Sequence, residues 1–476
     1  MAQVSTSNVE RSSDEGRSEF VVVANRLPVR HEDDGSWTLS PGGLVSAMLP
    51  VMRERTGAWV GWDGTADGTD DRFEFEGIHL RTVGLSQREH DEYYSGACNE
   101  TIWPLYHGSI EAAQFHRETW AAYRTVNQRF ADAACAELVE GGTVWVHDYQ
   151  LQLVPQMIRA QRPDAKIGYY LHIPFPPLEL LARLPWRQQV LDGLLGADVV
   201  GLQTQADARN VLSGVRRFCS ADDVTFAADG GVVRSARSTS VVKSFPISVD
   251  YSSIAEESAT DDVELGVKRL RSELGDPEVV LLGVDRLDNT KGIDLRLKAI
   301  RELLIEGRLD PRSTAVVQVA VPSREDVLGY EEVRNRVEQL VGTINGDFGQ
   351  LGRPVVQYIH KSLPFSELLV LYRTADVLLV TPFQDGMNLV AKEYAAARID
   401  ERGALVLSEF AGAAEELTDA FLVNPYDTEG LKDQIEAAVA MGEDEEGRRM
   451  VALRSQIESN DLAAWAKSFL ALLSMA

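Results

Sequence analysis

The stretch Thr381-Pro382-Phe383-Gln384-Asp385-Gly386-Met387-Asn388-Leu389-Val390-Ala391-Lys392-Glu393-Tyr394 constrains the fold most. The apolar run 376–380 feeds straight into it. A helix-like pattern leaves it, with Leu389, Ala391 and Tyr394 among its apolar positions. A short apolar run, a glycine-containing polar loop and then a helix is how a buried parallel strand passes into its following helix. In open α/β sheets, ligands bind at the carboxyl ends of such strands. The first amides of the helix have no intrahelical acceptor and point at whatever arrives. Lys392 and Glu393 fall about one turn inside the helix, within reach of the same ligand.

The same alternation runs through nearly the whole chain, so the expected class is α/β with parallel sheets. In the first half, strands are expected at 20–24, 144–147, 167–172 and 198–203, and helices at 44–53, 151–159 and 206–218. Residues 224–226 and 232–234 flank Asp229-Gly230-Gly231 like a hairpin. A polar stretch at 252–262 marks a junction. Beyond it, strands are expected at 279–284, 315–319, 355–359, 377–380, 405–407 and 421–423. Helices follow at 295–306, 325–340, 365–373, 431–441 and 461–475. A length of 476 residues also exceeds one ordinary core. The expected division is a disordered lead-in at 1–19, one domain at 20–249, a second at 250–455, and a terminal helix at 456–476 packing back on the first. Two such halves imply a cleft between two sheets.

The formal net charge of −26 argues against nucleic acid or an anionic membrane as partner, since both need a basic footprint. No apolar run approaches the ~18–20 residues of a membrane span. The first 19 residues have no apolar core for a signal peptide. Cys98, Cys135 and Cys219 form neither a disulfide framework nor a metal-ligand spacing. A cytoplasmic protein is expected, with small-molecule substrates and no metal or other cofactor; assembly into a homo-oligomer stays open.

Against that acidic background, cations at expected strand ends stand out. Arg26 follows the first strand, ahead of the Pro41-Gly42-Gly43 turn, whose two glycines would permit close backbone approach to a ligand. Arg286 and Lys291 lie five residues apart in Asp285-Arg286-Leu287-Asp288-Asn289-Thr290-Lys291-Gly292, and Arg324 follows another strand. An arginine and a lysine over a diphosphate would stabilise the charge that develops as it leaves. The plain alternative is an exposed turn with a surface salt bridge to Asp285 or Asp288. Asp148 is either a helix N-cap or a carboxylate facing a ligand. His172 ends a strand and is followed by prolines. It has no triad-like neighbours, and no His-x-x-x-His or Cys-x-x-Cys suggests a metal.

Taken with the segments NRLP, GGL, WVGW, EYY, WPLYH, HDYQL, LHIPFP, DRLDNTKG, DGMNLVAKEY and SEFAGAAEEL, the chain from about residue 20 to its end resembles glycosyltransferase family 20. That resemblance implies a GT-B fold, two Rossmann-like domains facing across a cleft. It implies retaining, metal-independent transfer of glucose from a nucleoside-diphosphate glucose to glucose 6-phosphate, giving α,α-trehalose 6-phosphate. By matching motif it implies an acceptor site of Arg26, Tyr94, Trp103, Asp148 and Arg324. It implies a donor site of Gly42, Gly43, Arg286, Lys291, Leu363, Asp385, Leu389, Val390, Ala391, Lys392 and Glu393, with His172 and Asp385 on the donor glucose. Arg286, Lys291, His172, Asp148 and Asp385 would carry the chemistry. The chain departs from the family in having Asn289 where tyrosine is usual and Gln384 where arginine is usual. The alternatives are a sister phosphosugar-coupling enzyme, such as a glucosylglycerol-phosphate synthase, or a sugar-phosphate sensor without turnover. A nicotinamide-dependent dehydrogenase lacks support, because no G-x-G-x-x-G opens the first βα turn.

Overall fold

Each half of the chain builds its own sheet. A computed structural model describes residues 16–31, 37–39, 45, 48, 49, 52, 57–235, 238–322 and 330–476. The expected lead-in up to residue 15, Gly42, Gly43 and Arg324 lie outside them. The chain divides into two compact units. The first ends at Pro246 and also takes in Trp465–Ala476; the second is Ile247–Ala464.

In the first unit the strands are β1 (Ser18–Arg26), β2 (Val29–His31), β3 (Trp37–Leu39), β4 (Ala58–Trp62), β5 (Arg72–Phe75), β6 (Ile78–Thr82), β7 (Leu138–His147), β8 (Lys166–Tyr170), β9 (Val199–Leu202), β10 (Asp223–Ala227), β11 (Gly230–Arg234) and β12 (Thr239–Ser244). Among the described residues, ten of them form one sheet, in the order β10-β11-β12-β9-β8-β7-β1-β4-β6-β5. The run from β12 to β6 is parallel; the edges β10-β11 and β5 are antiparallel. The expected hairpin is β10-β11, with Val224 opposite Val233. It hangs on β12, which the sequence pattern does not mark: Thr239, Lys243 and Ser244 dilute its apolar signal, and only Ser240 and Val242 are buried.

The second unit has β13 (Val279–Arg286), β14 (Thr314–Val321), β15 (Val356–Ile359), β16 (Val377–Val380), β17 (Ala404–Ser408) and β18 (Phe421–Val423). These pair in the order β15-β14-β13-β16-β17-β18, all parallel. β16 is Val-Leu-Leu-Val and every residue is buried. A strand covered on both faces reads as a continuous apolar run rather than an alternating one.

The terminal helix Leu462–Met475 contributes Trp465 and Phe469 to the first unit. Phe469 stacks on Trp145 of β7 with ring centroids 4.4 Å apart, and Trp465 does so at 5.2 Å. The Phe469 ring fits because β8 has glycine at 168: a Cβ there would meet Phe469 Cε1 at 2.6 Å. No helix among the described residues is long and apolar enough to cross a membrane.

Overfilling this contact has a measurable consequence. Gly168→Val should destabilise the first unit by about 1–3 kcal/mol. Urea unfolding followed by tryptophan fluorescence checks this, and an unchanged midpoint would show that the helix does not rest on the sheet as described.

Candidate functional site

Both sheets reverse direction at an internal pair of neighbours. In the first, the chain proceeds from β1 to β4 and β6 on one side, then returns to β7 beside β1 and continues to β8 and β9 on the other. The loops leaving β1 and β7 therefore part, and a crevice opens at the strand carboxyl ends. A cavity of about 480 Å³ lies there, lined by Asn25, Arg26 and Leu27 from β1, His147, Asp148 and Gln150 from β7, and Trp59, Asp63 and Tyr94.

Arg26 enters the cavity with its guanidinium 4.1 Å from the centre of the Trp62 ring, a cation–π contact that fixes a flexible side chain. Tyr94 meets the same tryptophan edge-on at 5.8 Å. Tyr94 comes from a π-helix, His90–Ile102. Its wider turn carries the adjacent Tyr93 into the core, where its hydroxyl donates to Asn25 Oδ1 at 2.8 Å. Such helices are rare and concentrate at functional sites. Trp103 is buried, stacked on His107 at 3.9 Å, and is not part of the cavity lining.

Asp148 decides between its two sequence readings. It stands at the N-cap position of the 3₁₀ turn Tyr149–Leu151, yet its side chain makes no capping bond. Its backbone has φ 74° and ψ 171°, a region that residues other than glycine occupy only at a cost of roughly 1–3 kcal/mol. The conformation is held by Asp148 N donating to Tyr170 O at 2.7 Å and by the Tyr169 hydroxyl donating to Asp148 O at 3.0 Å. The carboxylate lines the cavity and accepts the His172 amide at 3.2 Å. His172 lies two residues beyond β8, and its Nε2 is 3.2 Å from His147 Nδ1. Burial lowers the pKa of both imidazoles; His172 adds to the effect on His147, whereas Asp148 opposes it for His172. Both rings are therefore neutral at neutral pH.

In the second sheet the reversal falls between β13 and β16. Lys291 follows β13 in the 3₁₀ turn Asn289–Lys291, and Asp385 follows β16. The Lys291 ammonium, largely buried, donates to Asp385 Oδ2 at 2.5 Å, and Asn388 Nδ2 donates to the same oxygen at 3.0 Å. The turn is therefore not the exposed one of the plain reading, and its lysine pairs with neither Asp285 nor Asp288. Asp288 instead accepts the Thr290 amide at 2.9 Å. Asp285 is buried against Arg296 at 2.6 Å. Arg296 Nη1 also donates to Gln318 Oε1 at 3.0 Å, and its Nε donates to Thr381 Oγ1 at 3.0 Å. This network clamps the ends of β13, β14 and β16 together. The two loops also join through the backbone, Phe383 N donating to Thr290 O at 2.7 Å. Gly292 is required where they touch: its φ is +63°, and a Cβ would lie 2.4 Å from Thr381 O.

Arg286 ends β13 exposed to solvent. Leu363 lies half-buried in the loop after β15. The helix Leu389–Ala397 starts from Asn388, itself at φ 73°. Glu393, half-buried on that helix, accepts the Tyr372 hydroxyl at 2.8 Å; burial raises its carboxyl above the usual range, against that hydrogen bond. The Lys392 ammonium is engaged elsewhere, donating to Ile247 O at 2.8 Å and to Glu416 Oε2 at 2.6 Å. Burial lowers its pKa, with Glu416 opposing. Its side chain thus holds the second unit together, leaving its backbone to the helix. Sequence reasoning missed His147, Arg296 and Tyr372. For Arg296 a signal existed: it falls on the stripe Ile293, Leu297, Ile300 and Leu304, where a cation is out of place unless paired inside.

Two doubly wound, largely parallel sheets with polar side chains at each reversal point define the GT-B class of glycosyltransferase folds. Residues 18–475 match glycosyltransferase family 20, and the chain belongs to that family. It is 50% identical over 471 residues to a trehalose-6-phosphate synthase of Mycolicibacterium paratuberculosis, covering 96% of each chain. Among solved structures, an alpha,alpha-trehalose-phosphate synthase (UDP-forming) from Burkholderia xenovorans in complex with glucose-6-phosphate superposes with a TM-score of 0.87 at 32% identity, covering 96% of this chain and 100% of that one. An E. coli structure bound with UDP-2-fluoro glucose gives 0.87 at 32% identity, covering 96% and 99%.

The buried network carries a prediction. Arg296→Met leaves Asp285 charged and buried without its partner, and should cost about 3–5 kcal/mol. Thermal unfolding of the purified protein checks this; a change below about 1 kcal/mol would mean that the clamp is not structural.

Proposed function

We propose that the chain transfers glucose from a nucleoside-diphosphate glucose to glucose 6-phosphate, forming α,α-trehalose 6-phosphate with retention at the anomeric carbon. The observation that carries this reading is the Lys291–Asp385 pair at the reversal point of the second sheet. It stores one cation and one sugar-binding carboxylate side by side, ready to be divided between the diphosphate and the glucose of the donor. The 50% identity to a trehalose-6-phosphate synthase across 96% of the chain supports the same reaction.

In this reading Arg26 and Arg324 receive the 6-phosphate of the acceptor, Asp148 its hydroxyls, and Tyr94 and Trp103 shape that site. Arg26 is already oriented by Trp62, so little side-chain entropy is lost on binding. Arg286 and Lys291 neutralise the departing diphosphate. Gly42, Gly43 and the amides of Leu389, Val390 and Ala391 line the donor, with Lys392 contributing its main chain. Glu393, aimed by Tyr372, takes the ribose, and Leu363 offers backbone to the base. His172 and Asp385 hold the donor glucose. The glycosidic C1–O bond breaks toward the diphosphate, and the acceptor oxygen attacks C1 from the same face. The leaving phosphate oxygen takes the acceptor proton. Catalysis then consists of positioning two sugars and stabilising the leaving group. The reading invokes no metal. Asn289, the departure beside Lys291, is tied to Arg336 by a 3.2 Å hydrogen bond and lies next to the phosphate cations, so it bears on donor affinity rather than on the reaction.

Three assays test this. Purified protein given glucose 6-phosphate and a panel of nucleotide glucoses should release nucleoside diphosphate only when both substrates are present, with uridine diphosphate glucose the first donor to try. Loss of nucleotide without a disaccharide phosphate by mass would refute the transfer. Lys291→Ala should lower kcat by about 10²–10³-fold in a protein that still folds, with a loss of stability because Asp385 is left without its partner, and near-normal turnover would remove Lys291 from the leaving-group role. Arg26→Ala should raise KM for glucose 6-phosphate more than it lowers kcat; an unaltered acceptor KM would take Arg26 out of the phosphate site.

A further inference from the structure

His147 has no part in the reading above, yet it touches a residue that has one. It is the last residue of β7, with no exposed surface. Its Nδ1 lies 3.2 Å from His172 Nε2, and the two rings are 5.4 Å apart, nearly parallel at 29°. Its Nε2 is buried and has no hydrogen-bonding partner among the described residues. Trp145 packs against the same ring at 4.8 Å.

Two neutral imidazoles at this distance share one proton, so one ring donates and the other accepts. If His172 donated, His147 would carry its own hydrogen on Nε2. That would be a buried N–H with no acceptor, at a desolvation cost of about 1–3 kcal/mol. If His147 donates from Nδ1, its unpartnered Nε2 is only a lone pair. The second arrangement costs less. It makes His172 Nε2 the acceptor, and a neutral His172 must then bear its hydrogen on Nδ1. The main chain of His172 is fixed as well, its N–H donating to Asp148 Oδ1 and its carbonyl accepting Gln203 Nε2 at 3.3 Å.

We propose that His147 is a positioning residue that locks His172 in the Nδ1–H tautomer, so that His172 offers its ligand an N–H donor rather than a lone pair. The ligand atom it suits is an acceptor, such as a sugar hydroxyl oxygen. The functional side of this proposal rests on the reading that His172 meets the donor glucose; the tautomer itself does not.

The test is ¹⁵N NMR of the full-length enzyme with labelled histidine, where the two ring nitrogens report which one carries hydrogen. His172 should be in the Nδ1–H form in the wild type. The Nε2–H form, which free histidine prefers, would overturn the proposal, and this outcome is decisive whether or not any variant folds. His147→Asn keeps an N–H near the Nδ1 position and should keep both the tautomer and kcat to within about threefold. His147→Phe should release His172 to the Nε2–H form and lower kcat about tenfold with KM for glucose 6-phosphate unchanged, the worth of roughly one hydrogen bond. An unaltered His172 spectrum in His147→Phe would contradict the lock. His172→Ala with full activity would instead remove His172 from the sugar while leaving the tautomer result standing, so the two failures are told apart.

Discussion

A largely buried ammonium and a carboxylate 2.5 Å apart organise the second unit. Neither could stay charged alone at that depth without a large desolvation penalty. Pairing them solves the problem, and the pair sits where two loops part. A donor that carries both an anion and hydroxyls offers each member a new partner at once. On the proposed reading the ammonium exchanges one anion for another, and the carboxylate exchanges its ion pair for hydrogen bonds from hydroxyls.

The surroundings of the pair explain why it can be held so exactly on a loop. Asp285, Arg296, Gln318 and Thr381 form a saturated polar network beneath it, linking the ends of β13, β14 and β16. Gly292 lets the two loops approach to backbone contact. In the first unit the same logic uses other means. Trp62 pins Arg26, a strained backbone aims Asp148, and a histidine pair fixes the ring of His172. In both units the polar groups stand at the reversal of strand order, where the fold itself leaves the backbone open.

The sequence disclosed the strand ends well, because buried parallel strands are short apolar runs with abrupt polar termini. Val377–Val380 and the loop to Asn388 were legible for that reason. So were Arg26 and Lys291 as candidates, since few cations fall at such ends in so acidic a chain, and Asp385 through the glycine-containing loop that carries it. The order of strands was not legible, because it arises from long-range pairing that no local pattern encodes. The partner of Lys291 was not legible for the same reason: it lies 94 positions away, and the plain alternative of a neighbouring Asp285 or Asp288 is not what forms. The π-helix that presents Tyr94 and the orphan nitrogen of His147 leave no local trace either. Nor does the sequence show that the Lys392 side chain, in that same ligand-facing motif, braces the fold at Ile247 and Glu416.

The central claim is that donor binding divides the Lys291–Asp385 pair. A crystal structure of the protein with a non-hydrolysable nucleoside-diphosphate glucose tests it directly. The account predicts the Lys291 ammonium on a diphosphate oxygen and the Asp385 carboxylate on glucose hydroxyls, with their mutual contact broken. An ammonium still 2.5 Å from Asp385 and out of reach of the phosphates would contradict it.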